Sequence, residues 1–419
     1  MQLKYKSIAF FLIGYMLLIE IFISIFHLPR NIRFVIDVVA LILIFLGFQK
    51  ISYALSEKGY RWYFGYIILF IVSTILGSFF RMVPIGQVLW AIRNNYLYIL
   101  FGIIVIYLMD THDVDKVFEF CLKLQVLNVI MGIYEYYILN VHNDYLGGIF
   151  GVDQGCNANL NGYMMIISAY AINKYLVKKM SIAKTIWVIG SCTFMAALSE
   201  LKMFYVEVVL IVVCSVLLNR KSIKGFMMLA GGFLGLIIGI QVLSVVNPKS
   251  VEDLISITNM IDYNTRSDYG AGDIRITRLG STNLINKWFF KDDMSLKLFG
   301  MGLGACEDST SFTFCNSQFA TQYRSLGYRN LTMSMNYLET GYIGVICFAL
   351  IFIFLFLIAT KMKNEMSEYK EMASVSQVIC IMSVLNFWYS SAIRMNIAYL
   401  TFFCIMSVFI YYRYEKESM

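Results

Sequence analysis

Leu298-Phe299-Gly300-Met301-Gly302-Leu303-Gly304 lies inside residues 247–336, the one long run of this chain without an apolar block able to cross a membrane. The same run holds Asp262, Arg266, Asp268, Asp273, Arg275, Arg278, Lys287, Lys291, Arg324 and Arg329. On either side the chain reads as lipid-embedded helix. A chain otherwise buried in a bilayer that keeps one polar loop of about 90 residues is expected to do its work there.

Composition sets the class. Of 419 residues, 59% are hydrophobic, 16% aromatic and 15% charged, against a soluble norm of roughly 25% charged. A soluble domain of this size has too little interior to hide that much apolar surface, so lipid is the solvent for most of it. Lys4 and Lys6 precede a long apolar run with no small-residue cleavage site after it. The first helix is therefore expected to stay as an anchor. The net charge of +7 sits largely in short loops, where it sets topology. It is no sign of nucleic-acid binding. The nine cysteines show no CxxC pair and no metal-ligand spacing. Cys121, Cys192, Cys214, Cys347, Cys380 and Cys404 read as small core hydrophobes. Cys306 and Cys315 fall in the long loop, and an extracytoplasmic loop would allow them to pair.

Twelve apolar blocks follow in order, near 8–26, 34–49, 62–80, 96–109, 117–139, 159–174, 184–199, 203–219, 225–245, 341–360, 371–389 and 395–412. A few of them, the second, fourth and sixth included, run short of the ~20 residues of a straight span. Threading twelve spans puts seven basic clusters on one side. They are Lys4/Lys6, Lys50/Lys58/Arg61, Lys116, Lys174/Lys178/Lys179/Lys184, Arg220/Lys221/Lys224, Lys361/Lys363/Lys370 and Arg413/Lys416. By the positive-inside rule that side is cytoplasmic. Both termini are then inside and the loop is outside. The expected organisation is spans one to nine in 1–246, the loop with short helices in 247–336, and three spans in 337–419.

Arg30, Arg33, Arg81, Arg93, Lys202 and Arg394 oppose the rule at the outer side or at outer helix ends. Each alone reads as interfacial snorkelling. Together with Arg275, Arg278, Arg324 and Arg329 they form an outward basic set suited to an anionic ligand, such as a lipid-linked diphosphate. Arginine's planar fork matches phosphate oxygens in pairs. Glu135, Glu200 and Glu207 lie within or at the ends of spans, where charge faces a cavity or a partner. An internal ion pair that fixes helix packing is the alternative. Asn157, Asn159 and Asn161 open the sixth block. Amides there bind sugar hydroxyls or simply cap the helix.

Four stretches, in order, resemble the O-antigen ligase and Wzy-type polysaccharide polymerase superfamily. The first is Ile130-Met131-Gly132-Ile133-Tyr134-Glu135-Tyr136, followed by Gly148-Ile149-Phe150-Gly151 and Asn159-Leu160-Asn161-Gly162-Tyr163. The second is Ala197-Leu198-Ser199-Glu200-Leu201-Lys202, similar to the family's serine-and-basic turn. The third is the glycine cluster of the loop. The fourth, Asn336-Tyr337-Leu338-Glu339-Thr340-Gly341-Tyr342-Ile343-Gly344, resembles the acid-x-Gly-x-x-Gly return into the span. The resemblance covers roughly residues 125–360, and the order of the stretches about one loop carries it.

The resemblance implies an all-α polytopic bundle of the GT-C membrane glycosyltransferase type in a bacterial cytoplasmic membrane. It implies transfer of oligosaccharide repeat units from an undecaprenyl-diphosphate carrier to a sugar hydroxyl on the outer face, with inversion and with neither metal nor cofactor. A chain-length regulator is an expected partner. Lys202, Arg93, Arg275, Arg278 and Arg324 are the expected diphosphate ligands, with Arg275 and Arg278 also stabilising the departing charge. Glu339 and Glu200, with Asp273, are the candidate bases for the acceptor hydroxyl. Asn159, Asn161, Glu135 and Asn336 are expected to meet the sugars. Ligases of the family carry a loop histidine shortly before the last motif, and Arg329-Asn330-Leu331-Thr332-Met333-Ser334 has none. The threading leaves His112 inside and His142 outside, and His142 is the candidate imidazole base. The polymerase reading therefore leads, a ligase is the alternative, and a flippase or transporter is the third. Transporters tend to show two matching halves, and no repeat relates 1–200 to 201–419.

Overall fold

Backbone amides surrounded by hydrocarbon have no water to bond, so a chain this apolar must satisfy them within its own helices. The structure, a computed structural model, describes residues 2–57, 59–219, 241, 268–269, 273–309 and 311–418. Apart from Gln241, the expected block 225–245 lies outside the described residues, as do Arg220, Lys221, Lys224, Asp262 and Arg266. Each of the other expected blocks coincides with a helix or a bent helix pair. These are α1 (Gln2–Phe26), α2 (Val35–Leu46) with α3 (Phe48–Ser56), α4 (Arg61–Phe80), α5 (Ile85–Asn95) with α6 (Leu97–Val105), α7 (Thr111–Tyr137), α8 (Cys156–Leu176), α9 (Ile182–Leu198), α10 (Lys202–Leu218), α11 (Thr332–Glu365), α12 (Lys370–Tyr389) and α13 (Ile397–Ser418). The only strand pairing among the described residues is a two-residue ladder, Asp268–Tyr269 against Asp273–Ile274.

This is an all-α membrane protein. By length and composition, 6 of the described helices suffice to cross a membrane, or up to 8 if each bent pair is one span. The bends are 56° between α2 and α3 and 45° between α5 and α6, and they explain why the second and fourth blocks looked short. The sixth block, α8, is a different case. It is buried almost end to end, so its polar residues face protein and it needs no lipid-facing stripe. Burial ranks the helices from centre to rim. The most apolar window of α13 is 83% buried and that of α4 only 33%. Leu69, Val72, Leu76 and Phe80 on α4 and Ile346, Ile353 and Leu357 on α11 are exposed. A soluble protein does not present such a surface.

Side-chain contacts sort the charges onto two ends of the bundle. At one end Lys6 meets Asp110 and Asp113 at the start of α7, where Asp110 forms a capping box with Asp113. The same end gathers Lys174 and Lys179 on Glu371, Lys363 on the Leu218 carbonyl, and the Tyr411 hydroxyl on Asp115. At the other end lie Arg30, Arg33, Arg93, Arg324, Arg329 and Arg394 with their partners. Of the seven expected basic clusters, Lys6, Lys174, Lys179 and Lys363 thus have described partners at one end.

The described part of the loop carries short helices, Ser281–Ile285, Met294–Phe299 and Gln318–Tyr323. Its Ile285, Phe290 and Tyr328 form a small core together with Tyr337 of α11. It is fastened to α11 where α11 is broken, at Gly341 (φ 65°, ψ −167°). The break leaves the carbonyls just before it without helical partners, and loop amides take them. Met301 N–H donates to Leu338 O and Gly302 N–H to Glu339 O, both at 2.9 Å. The two backbones touch. A Cβ on Gly341 would stand 2.4 Å from the carbonyl carbon of Leu298, and one on Gly300 (φ 72°) 2.4 Å from that of Glu339. Asn336, expected at the loop's end, is therefore already inside a helix, in the segment of α11 before the break.

Both positions need a left-handed conformation and a missing side chain. Gly300→Ala and Gly341→Ala are expected to cost ~1–3 kcal/mol or more each and to lower the melting temperature of the purified protein by several degrees. Gly77→Ala, whose Cβ would meet nothing within 4 Å, is the control and should not lower it.

Candidate functional site

Helix α5 is amphipathic in the reverse sense. Its apolar Ile85 and Leu89 are exposed, while Gln87 and Asn95 are buried. Gln87, Trp90 and Asn94 recur at helical spacing, so they share one stripe that faces protein. Every group on that stripe is engaged. Gln87 Nε2 donates to Asn316 O at 3.2 Å, Trp90 Nε1 to Asp308 O at 3.2 Å, and Asn94 Nδ2 to Glu307 Oε2 at 3.0 Å. Asn95 Oδ1 accepts from Arg394 Nε at 3.1 Å.

Two adjacent acids, Glu307 and Asp308, anchor what lies above α5. Glu307 pairs with Arg394 from the turn between α12 and α13, and both side chains are under 10% exposed. Burial works against the Arg394 charge, but Glu307 and Glu339 outweigh it and hold the guanidinium protonated above its ordinary range. Asp308 takes two arginines, Arg324 at 2.6 Å and Arg329. Asp308 is 1% exposed, whereas Arg324 is 57% and Arg329 38% exposed. Arg93 bonds Asp37 at 2.9 Å and lies over the rings of Trp90 and Phe34, 4.9 and 5.9 Å from their centroids. Phe312 closes that group, with its ring 4.9 Å from Phe34 and 5.7 Å from Trp90.

The structure brings most of the expected residues to this end. Glu339 Oε1 accepts from the backbone N–H of Gly304 at 3.0 Å and of Cys306 at 3.2 Å. The carboxylate proposed as a base thus ties the third and fourth motifs together. Arg278 lies over Tyr389, 4.2 Å from its centroid, and its Nε donates to Tyr389 O. Exposed Arg275 adjoins Ile276, whose N–H bonds Leu326 O beside Arg324. Asn336 Nδ2 donates to Thr332 O, and Thr332 in turn donates to Ser390 O. Asn161 Nδ2 meets both oxygens of the buried Glu207 at 3.1 and 2.9 Å and Asn386 Oδ1 at 3.4 Å. Asn159 Oδ1 accepts from Ile397 N–H. Arg278, Asn159, Asn161, Asn336 and Arg394 therefore converge on the turn from Asn386 to Ile397.

Glu135 stands apart. Its Oε2 accepts from Gly148 N–H at 2.7 Å, while Asn128 Oδ1 takes Ile149 N–H. It holds the glycine loop after α7, so the pieces of the first motif are also one structure. Glu200 adopts a left-handed turn (φ 52°) before Lys202 opens α10. Cys306 and Cys315 are both free thiols. Burial pushes the Cys306 thiol well above its ordinary range, so it stays neutral and is no nucleophile. At the opposite end Asp110, His112 and Asp113 bring possible metal-ligand atoms together, but Lys6 already bonds both aspartates.

Sequence reasoning named the cations and missed their partners. Glu307 and Asp308 were readable as an acid pair just after the glycine cluster. Asp37 was readable as an acid inside an apolar block. Glu20, which holds Arg33, was readable in the same way inside block 8–26, whereas Asp153, which holds Arg30, gave no such signal. No family model matches the chain, and no curated protein matches it.

Removing one member of a buried pair strands the other charge. Glu307→Leu is expected to destabilise by about 3–5 kcal/mol, and the double variant with Arg394→Met to recover most of that. Melting temperatures at one fixed scan rate check it. Equal losses in single and double variants would show that the cost is not that of a stranded Arg394 charge.

Proposed function

We propose that the chain is a polysaccharide polymerase of the membrane glycosyltransferase type. It moves oligosaccharide repeat units from an undecaprenyl-diphosphate carrier onto a growing lipid-linked glycan at the outer face of the cytoplasmic membrane. The reading includes twelve spans, cytoplasmic termini and an extracytoplasmic loop. The observation that carries it is the clasp at Glu339. The loop glycine cluster and the acid-x-Gly return are far apart in sequence, yet they bind each other at the end where the arginines gather. Two stretches that resemble one family's motifs thus behave as one unit, beside groups suited to phosphate.

The chemistry needs little more than charge and position. The carrier diphosphate leaves as an anion while the acceptor oxygen bonds the anomeric carbon from the opposite face, which inverts it. Arg275, Arg278, Arg324, Arg93 and Lys202 supply the positive field that lowers the cost of that departure. Holding donor and acceptor in line supplies the proximity contribution. Arg324 and Arg329 share a single carboxylate, so that trio keeps one net positive charge and part of each fork faces outward. Glu200 and Glu339 are the carboxylates assigned to the acceptor proton. The missing loop histidine favours the polymerase over a ligase.

Replacing Arg275, Arg278 or Lys202 by alanine is expected to slow chain extension about tenfold or more, a barrier change of about 1.4 kcal/mol. Glycan length on gels, in cells lacking the native copy, reads it as a loss of long chains. Long chains unchanged in all three variants remove the assignment. A phosphatase reporter inserted near residues 311–317 should be active, and one at the C-terminus inactive. The reverse pattern overturns the orientation and the function with it.

A further inference from the structure

Most buried acids of this protein have an evident partner. Glu20, Asp37, Glu307 and Glu371 each pair with a basic side chain, and Glu135 and Glu339 accept backbone N–H groups. Glu207 of α10 has neither among the described residues, and it is fully buried. Around it stand two buried amides, Asn161 of α8 and Asn386 of α12. Glu207 follows Lys202, the first residue of α10, by five positions, and Asn161 follows Cys156, the first of α8, by five. Asn386 precedes Tyr389, the last of α12, by three. At 1.5 Å per residue the three side chains meet about 5–8 Å below the helix ends on the arginine side. An acid at that depth with no counter-charge of its own calls for a bound one.

The contact is that of an ionised group. A neutral carboxyl pairs with an amide edge to edge, its O–H donating to the amide oxygen. Here Asn161 Nδ2 donates almost equally to Glu207 Oε1 and Oε2, at 3.1 and 2.9 Å, while Asn161 Oδ1 has no partner. Asn386 Oδ1 lies 3.4 Å from the same nitrogen. Three oxygens thus converge on one atom, as ligands do on a hard cation. Asn386 Nδ2 is also without a partner, so the trio does not close its own hydrogen bonds. The geometry points to a site for one alkali-metal cation, Na⁺ or K⁺, in the place that Asn161 Nδ2 holds. A turn of the Asn161 amide frees that place and brings the orphaned Oδ1 in as a fourth ligand. One carboxylate among neutral amides balances a single charge, whereas a divalent ion would leave a buried excess. The cation braces the end of α12. Asn386 Oδ1 accepts from Ser390 Oγ at 3.1 Å, and the turn that follows carries Arg394 to Glu307. The site asks nothing of the proposed glycan chemistry.

The test uses the full chain in nanodiscs. The probes are radioactive Na⁺ and Rb⁺, the latter a tracer for K⁺, with choline as the inert replacement at constant ionic strength. At least one of the two ions should bind saturably, about one per chain, and raise the melting temperature by several degrees over choline. Glu207→Gln keeps the shape and removes the charge, and Asn386→Leu removes one oxygen and keeps the charge. Each should weaken binding about tenfold or more. Glu119→Gln, at an exposed acid, should not. No saturable binding of either ion to the wild-type chain overturns the inference. So does binding that either variant retains in full. Equal melting temperatures in Na⁺, K⁺ and choline overturn it too, and are what a permanently protonated Glu207 would give. Should Glu207→Gln fail to fold, Asn386→Leu and the wild-type titration decide.

Discussion

A charge carried toward the interior of a bilayer must bring its counter-charge with it, because neither lipid nor apolar side chains can solvate it. That constraint arranges one whole end of this protein. Arg394 comes from the turn after α12 and Glu307 from the loop, and Asn94 and Asn95 of α5 complete the pairing. The neighbouring Asp308 takes two loop arginines and, through its carbonyl, Trp90. The loop cannot shift from α5 without separating buried opposite charges. Helix α5 in turn cannot be an ordinary span, because its polar stripe is already committed inward. The 45° bend into α6 comes at Tyr96, directly after Asn95.

The clasp at Gly341 is the second constraint, and it works through backbone alone. A helix broken at its entry to the membrane exposes carbonyls that must find donors. Here the donors come from Met301 and Gly302, and the Glu339 carboxylate takes two further amides. A carboxylate so engaged is first of all a positioning group. On the proposed function Glu339 would take up a proton through Oε2, since Oε1 holds the two loop amides.

Much of this was legible in the sequence, and the boundary is physical. Apolar blocks and the sidedness of loop charge are local properties, so α1, α4, α7, α12 and α13 could be read directly. Arg30, Arg33, Arg93 and Arg394 were visible because they break the expected charge rule. Their partners were not, because an ion pair such as Arg93 with Asp37 or Arg394 with Glu307 joins residues far apart in the chain. The reading of an unbalanced basic surface changes accordingly. Each of Arg30, Arg33, Arg93, Arg324, Arg329 and Arg394 meets a carboxylate. Short blocks were misleading for a related reason. Block length measures a straight lipid-facing span, and α8 is enclosed by protein while α2 and α5 are bent.

Paired arginines also change what binding an anion requires. A phosphate that approaches this end does not find bare charge and must compete with carboxylates already in place. For Arg394 the competition is closed, since both partners are shut away from solvent. At Asp308 the carboxylate is buried and fixed, while its two arginines reach outward. A ligand there can add bonds to the free edges of two guanidinium forks without displacing Asp308, which keeps them oriented. Arginine permits this where lysine would not, because its five donors lie in a plane and one carboxylate leaves several unused. The carboxylates that seem to cancel the basic set are therefore what aims it. Of the six paired arginines, Arg30, Arg324 and Arg329 have the most exposed edges, and on the proposed function these are the ones that would meet a phosphorylated lipid.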